Sequence, residues 1–244
     1  MLADNAGMDE PRRLLDPSVG AWVNARLLRH ESEVGSQVGY VVPTGFQRVV
    51  RVLHPAGDGR SWAQVAAGTR TMVHPLVQWC CIADEFDGNG RSGHVDPQEG
   101  STPAETLTAI LDHCPPCEEV VQGVWLGFGT WTDLSDGEPV MPGWGGRDYR
   151  LFATAKAAIT TWPGMTPGWP QSANLIWPAD HSWCIGTEID WDSTLLAGST
   201  EMADAILADV GLEAFAVEYD DDLSWCGDTL NPRPDWLARQ CTPS

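Results

Sequence analysis

The sequence predicts an α+β fold, with a mostly antiparallel sheet and helices packed on one face. Helical and strand patterns are interleaved along the chain, but they do not repeat as regular strand–helix–strand units. Two regions resemble β-hairpins, whose strands pair antiparallel. Because composition does not change abruptly mid-chain, we expect one domain over residues 17–218, a flexible N-terminus over 1–16 and an acidic, proline-containing tail over 219–244.

The first two helices are predicted from the residues that cap them. Asp16 precedes Pro17, a residue suited to the first helical turn, and this pair predicts a helix that ends near Arg29. Ser61 is placed to cap a shorter helix over residues 62–68. Both are among the helices that we expect to pack on the sheet.

Two further helices are predicted by the same kind of signal. The clearest is Thr102-Pro103-Ala104-Glu105, because it offers a capping threonine, a proline for the first turn and a glutamate that can bond back. Ser199 or Thr200 can cap the last helix. The predicted buried faces consist of Leu107, Ile110 and Leu111 in one helix and of Met202, Ala203, Ile206, Leu207 and Val210 in the other.

Strands are predicted where apolar residues alternate or where β-branched and aromatic residues cluster. Outside the clearest hairpin, the predicted strands are residues 47–54, 120–131, 148–155 and 212–217. The hairpin joins residues 174–177 to 183–191 through the turn Pro178-Ala179-Asp180-His181. Residues 83–101 and 160–168 are expected to be irregular, because glycine and polar residues, or proline and tryptophan, interrupt any pattern there.

Charge and tryptophan content limit the classes of partner. The chain has 13 tryptophans and a formal net charge of -20, from 34 acidic and 14 basic residues. Such a surface repels nucleic acid and anionic membranes, so a basic protein is the expected partner. No apolar run approaches the roughly 18–20 residues of a transmembrane helix. The N-terminus has no apolar core for export, and we expect a cytoplasmic protein. Its seven cysteines are expected to be free, mostly buried thiols.

The hairpin carries the densest group of candidate ligand-binding residues. Two tryptophans flank an acid–imidazole pair, and the group consists of Trp177, Asp180, His181 and Trp183. On the predicted second strand, Glu188, Asp190 and Asp192 alternate, so they should project from one face towards a common site. These residues could form a pocket for a small ligand or for acid–base chemistry. Alternatively, the acids are the wet face of an edge strand, and the tryptophan group is a structural hairpin in which Asp180 caps the turn and the rings pack across the sheet.

A metal site is a second candidate, but its motif is half complete. His113, Cys114 and Cys117 are three possible zinc ligands within five residues, whereas a structural zinc site needs four. The alternative is a pair of buried thiols at a helix end. The acidic loop from Asp87 to Gln98 fails the calcium-loop pattern, and no nucleophile elbow, phosphate loop or dinucleotide fingerprint is present. No cofactor is therefore expected.

Several segments resemble those of a known group of proteins. They are residues 42–46, 51–55, 125–129, 174–180 and 183–190, followed by Ser193-Thr194 and Gly198-Ser199. Together they resemble a group of hypothetical proteins from actinobacteria and their phages, over about residues 20–218. The group has no assigned activity, so the resemblance implies no catalytic residue. The acidic, tryptophan-rich α+β character is also loosely similar to that of SUKH-type immunity proteins.

From the sequence we therefore expect a non-enzymatic cytoplasmic binding protein of the immunity or regulatory kind. A basic protein partner would contact an acidic surface that bears tryptophan side chains. Two alternatives stay open: an enzyme or small-ligand binder that uses the hairpin residues, and a structural zinc protein. The sequence leaves the oligomeric state undetermined.

Overall fold

The computed structural model describes residues 11–28, 36–83, 95–128, 139–143, 146–161, 165–166 and 169–241. Within these ranges the strands are β1 (Arg12–Arg13), β2 (Arg48–Leu53), β3 (Glu119–Trp125), β4 (Tyr149–Ala155), β5 (Met165–Thr166), β6 (Trp169–Pro170), β7 (Leu175–Pro178), β8 (Cys184–Gly186), β9 (Ser193–Gly198) and β10 (Ala214–Val217). The α-helices are α1 (Ala21–Arg26), α2 (Trp62–Thr69), α3 (Trp79–Ile82), α4 (Ala104–Asp112), α5 (Thr200–Ala208) and α6 (Asp235–Ala238).

Eight of the described strands form one sheet in the order β1-β4-β3-β7-β8-β9-β2-β10. Every neighbouring pair in it is antiparallel. The remaining two, β5 and β6, pair with each other. β5 lies within residues 160–168, so the expectation that this segment is irregular is wrong at Met165–Thr166. The predicted α+β class with an antiparallel sheet is therefore confirmed.

Apolar side chains are buried on both faces of this sheet, as alternation along β2 shows. Val50 and Val52 belong to a core cluster that also contains the inner residues of α4 and α5. Leu53 points to the opposite face and packs with α2 and α3. The two nine-residue helices thus cover one face, and short helices cover part of the other.

Local capping signals place several helices correctly. The Asp16 side chain accepts a hydrogen bond from the Ser18 N–H, and a 3-10 turn over Pro17–Gly20 leads into α1. Ser61 caps α2 in a reciprocal capping box with Gln64. Ser199 caps α5 through the Met202 N–H. Each of these caps bonds to an N–H group within three residues, and the tertiary contacts of the helix leave that bond in place.

The capping prediction for Thr102 is wrong. Helix α4 does begin at Ala104, but Pro103 is its N-cap and no side-chain cap forms. The Thr102 hydroxyl instead lies 2.7 Å from that of Thr194 and 2.8 Å from that of Thr187, in the core. His54 binds the same cluster, with its Nε2 2.8 Å from the Thr194 hydroxyl. A buried hydroxyl group needs partners, and this network provides them more fully than the helix end would.

The hairpin forms, but its second strand is shorter than predicted. β7 pairs with β8 across the turn after Pro178, as expected. β8 ends at Gly186, and the chain then turns before β9 begins at Ser193. The prediction of a continuous strand over residues 183–191 is wrong. Beyond Gly186 the chain turns, and the side chains of Glu188 and Asp190 form ion pairs with Arg147. β9, a fully buried strand, was not predicted because it lacks alternation.

Both ends of the described chain are attached to the domain. Arg12 and Arg13, in the segment expected to be flexible, pair with β4. In the segment expected to be a tail, Asp228 is completely buried. A disulfide joins Cys226 to Cys241, so the expectation that all cysteines are free is wrong. None of the described helices has the length and apolar character needed to cross a membrane.

Candidate functional site

The two tryptophans of the predicted pocket lie on opposite faces of the sheet. Both side chains are completely buried. Trp177, in β7, packs in a cluster with Val23 of α1 and Cys184. Trp183 packs in the cluster that contains Met202 of α5. Because successive strand residues point to opposite faces, the two rings do not line one cavity.

The turn between them is stabilised by its own side chains. Oδ1 of Asp180 accepts hydrogen bonds from the Ser182 N–H at 3.0 Å and from its hydroxyl at 2.7 Å. These bonds lower the pKa of the Asp180 carboxyl. His181 has a positive φ of 55° and stacks on Trp22, with ring centroids 4.2 Å apart. Asp180 thus caps the turn, as the structural alternative predicts, and His181 packs on α1.

The three predicted acids do not project together from a strand. Glu188 and Asp190 lie in the turn after β8, where both contact Arg147, at 2.9 and 3.2 Å. Oε2 of Glu188 also accepts the Asp190 N–H. Asp192 is apart from them, beside Arg51 in β2. The acids therefore form two separate ion-pair groups, because two arginines from distant segments approach them.

The residues of the half zinc motif each have a different partner. Nε2 of His113 lies 2.7 Å from Oδ2 of Asp209. Cys114 is buried and bonds to the Ile110 carbonyl, and burial raises the pKa of its thiol to about 12. Cys117 is partly buried, and its thiol pKa is also raised by burial. Among the described residues, no group of three or more acidic, histidine or cysteine side chains could hold a metal ion.

A different group of residues surrounds a cleft of about 530 Å³, which we call the tryptophan cleft. It lies between the turn after β8 and the C-terminal segment. The charged and aromatic residues of its lining are Arg51, Glu99, Asp190, Trp191, Asp192 and Trp225. A volume of this size is within the roughly 300–1,000 Å³ of known ligand clefts.

The floor of the tryptophan cleft is a buried ion pair. The Arg51 side chain is 1% exposed, and its Nη2 lies 3.7 Å from Oδ1 of Asp192. Nε of Arg51 donates to Ser193, and Nη1 donates to the carbonyls of Pro75 and Val77. These bonds fix the guanidinium, whose burial in the sheet would otherwise be costly.

Burial and mutual repulsion perturb the carboxyl groups of the cleft. Burial raises the pKa of Asp192 to about 6, although the Arg51 charge opposes the rise. Burial also raises the pKa of Glu99, and the neighbouring charges of Asp192 and Asp96 add to the effect. Arg51 thus does not fully compensate the negative charge around it. Perturbed carboxyls in a concave site are typical of binding and catalytic sites.

Trp225 lines the outer wall of the cleft, and a second exposed tryptophan, Trp236, packs against it. Trp225 is 53% exposed and Trp236, in α6, is 39% exposed; their ring centroids lie 5.6 Å apart, edge to face. The Cys226–Cys241 disulfide closes the segment that contains α6. Within this segment, Arg233 donates hydrogen bonds to the carbonyls of Cys226 and Asp228. The exposed rings are therefore held on an ordered surface.

Sequence reasoning singled out Asp190 and Asp192 but missed the rest of this site, although parts of it had a signal. Arg51 interrupts an otherwise apolar strand, and a charge in such a strand needs an acidic partner. Trp225 directly precedes Cys226, so a disulfide there would fix its position. Neither signal identifies Glu99 or shows that Asp192 approaches Arg51, because these positions depend on how the turn after β8 and the loop before α4 fold.

Comparison with family models, curated proteins and solved structures finds no significant match to this chain. The geometry of the tryptophan cleft and its exposed ring pair is therefore the basis for a functional proposal.

Proposed function

We propose that this chain is a non-enzymatic binding protein that engages a basic protein partner through an acidic surface bearing tryptophans. The observation that carries the proposal is the exposed Trp225–Trp236 pair beside the tryptophan cleft. Large exposed aromatic side chains next to a concave site are typical of interfaces.

The negative charge of the chain supports a positively charged partner. The chain has a formal net charge of -20, and three of its acids, Glu99, Asp190 and Asp192, lie in the cleft near the exposed rings. Such a field accelerates the encounter with a basic partner, while buried aromatic anchors supply most of the affinity. An acidic rim around an aromatic pair fits both requirements.

The proposed biological role is of the immunity or regulatory kind, in the cytoplasm. The resemblance to hypothetical proteins of actinobacteria and their phages, and to SUKH-type immunity proteins, motivates the role. The Cys226–Cys241 disulfide is the observation against this compartment, because such bonds rarely persist in the cytosol. Alkylation of thiols during denaturing lysis of fresh cells tests the compartment: seven modified cysteines fit the cytoplasm, whereas protection of this pair fits an oxidising compartment.

A second candidate function is acid–base catalysis in the same cleft. It is favoured by the pKa of about 6 for Asp192, which suits proton transfer near neutral pH. The substitution Asp192→Asn separates the two functions. A catalyst would lose turnover of its substrate while still binding a protein partner through the exposed rings.

The principal experiment is capture of a partner on the immobilised protein, followed by kinetics with the purified partner. We expect a protein with a net positive charge to bind the wild type and to be lost from the double variant Trp225→Ala/Trp236→Ala. The matched control is Val210→Ala, which removes a fully exposed apolar side chain elsewhere. The association rate should fall by about tenfold or more between low and physiological salt.

Three results would contradict the proposal. Equal partner binding by the double variant would place the interface elsewhere on the protein. An association rate that does not change with salt would remove the role of the acidic surface. Repeated failure to capture any basic protein from the native host would argue against the partner class itself.

A further inference from the structure

Two carboxylates of the tryptophan cleft have room for an additional partner. Among the described residues, the Asp192 carboxylate has one side-chain partner, Arg51, which contacts Oδ1 at 3.7 Å. Glu99 has no hydrogen bond or ion pair to any described side chain, and it lies on the same cleft. The negative charge of Asp192 repels that of Glu99 and thereby raises the pKa of the Glu99 carboxyl. A cation entering the cleft would relieve this repulsion.

The walls of the cleft favour a particular cation. Trp191 and Trp225 both line it, and indole rings attract cations to their faces. A guanidinium is planar, stacks on aromatic rings, binds carboxylates with two parallel hydrogen bonds and loses its hydration more easily than an ammonium. An arginine side chain is therefore better suited to this site than a lysine side chain.

The chain contains an internal example of the same recognition. The Arg147 guanidinium contacts the carboxylates of Glu188 and Asp190, and its carbon lies 5.4 Å from the centroid of Trp125. Two acids and one indole thus hold one arginine, and one of these acids, Asp190, also lines the tryptophan cleft. The lining of the tryptophan cleft offers the same three kinds of group.

We infer that the tryptophan cleft holds one arginine side chain of the basic partner, against Asp192 and Glu99 and in contact with Trp191 and Trp225. This inference rests on the proposed function, because the arginine belongs to the partner protein. Arg51 does not occupy the position, since hydrogen bonds to Ser193, Pro75 and Val77 hold its guanidinium in the floor.

Binding of arginine should depend on pH through the carboxyls. The charged and titratable groups that face Asp192 are Arg51 of β2, Cys80 of α3, Asp96 and Glu99 of the loop before α4, and Asp190 of its own turn. A cation stabilises the ionised form of Asp192, so protons must leave before it binds. With a pKa of about 6, Asp192 is roughly one-tenth ionised at pH 5. The affinity should therefore fall by about tenfold from pH 7.5 to pH 5.

The test uses the full-length protein and three short peptides that differ in one residue: arginine, lysine or citrulline. Citrulline has nearly the shape of arginine but no charge. Binding is followed by NMR from the indole N–H signals of Trp191 and Trp225. We expect saturable shifts with the arginine peptide, weaker binding of the lysine peptide and no binding of the citrulline peptide.

Variants then locate the site. We expect Glu99→Gln and Asp192→Asn each to weaken binding of the arginine peptide by about tenfold or more, as for close charge pairs at interfaces. Asp192→Asn should also lose most of the pH dependence. The control is Asp204→Asn, which makes the same charge change at an exposed position of α5, on the other face of the sheet. Glu99→Gln keeps the test valid if Asp192→Asn fails to fold, because Glu99 is exposed.

The outcomes separate this inference from the proposed function. Equal binding of the citrulline and arginine peptides, or unchanged binding by a folded Glu99→Gln variant, would overturn the inference. If the captured partner still bound that variant but not Trp225→Ala/Trp236→Ala, the proposed function would stand without the arginine site. If the partner also bound the double tryptophan variant, the proposed function would fail as well.

Discussion

Two groups of tryptophans in this protein have opposite roles. Trp177 and Trp183 flank the hairpin turn and are completely buried, one in each core. Trp236 lies in the disulfide-closed segment and Trp225 directly precedes it, and both remain substantially exposed. The same residue type thus forms the core in one region and an exposed ring pair in the other. The tryptophan content of a chain indicates neither role until the position of each ring is known.

The largest expected effect concerns the buried pair. We expect Trp177→Ala and Trp183→Ala each to lower the free energy of unfolding by about 3–5 kcal/mol, because each leaves a large cavity in the core. Urea unfolding followed by circular dichroism measures the change. Trp183→Phe is the control, since it keeps most of the buried ring and should cost less. A loss below about 1 kcal/mol would contradict the assignment of these rings to the core.

The disulfide is expected to have the next largest effect. It closes a loop with a sequence separation of 15 residues. The double substitution Cys226→Ser/Cys241→Ser should lower the free energy of unfolding by about 3 kcal/mol, mainly by freeing the unfolded chain. It should also change the fluorescence of the exposed pair. Adding a reductant to this variant serves as the control and should have no further effect. Seven alkylated thiols after denaturation of the purified protein without reductant would contradict the prediction.

The smallest expected effect on stability belongs to the exposed pair. Trp225→Ala and Trp236→Ala remove rings that are 53% and 39% exposed, so each should change the free energy of unfolding by less than about 1 kcal/mol. Urea unfolding measures this, beside partner binding on the same samples. Retained stability together with lost partner binding would support separate roles for the buried and exposed rings. Unfolding as ready as that of the buried-ring variants would contradict this separation.

Much of the fold could be predicted because its signals are local. Ser61 and Ser199 cap their helices through N–H groups three residues away. The hairpin turn is closed by Asp180 and its near neighbour Ser182. Such contacts depend on the chain within a few residues, so the pattern of residue types is sufficient to predict them.

The candidate site could not be predicted in the same way. Asp192 meets Arg51 across two paired strands, and the cleft joins the loop before α4 to the C-terminal segment. Thr102 shows the same limit, since its hydroxyl contacts Thr187 and Thr194 instead of the helix that it precedes. Distant groups compete for each polar side chain, and only the folded chain decides which of them approaches.

The antiparallel α+β class, the net charge and the capped starts of α2 and α5 could be predicted from the residues alone. Only the tertiary structure decided which tryptophans are buried, which acids share a cleft and where the chain is crosslinked. The two kinds of interaction differ in how far apart in the sequence the interacting residues lie. Capping and periodicity act over a few residues, whereas burial and ion pairing depend on the packing of segments that are far apart in the sequence.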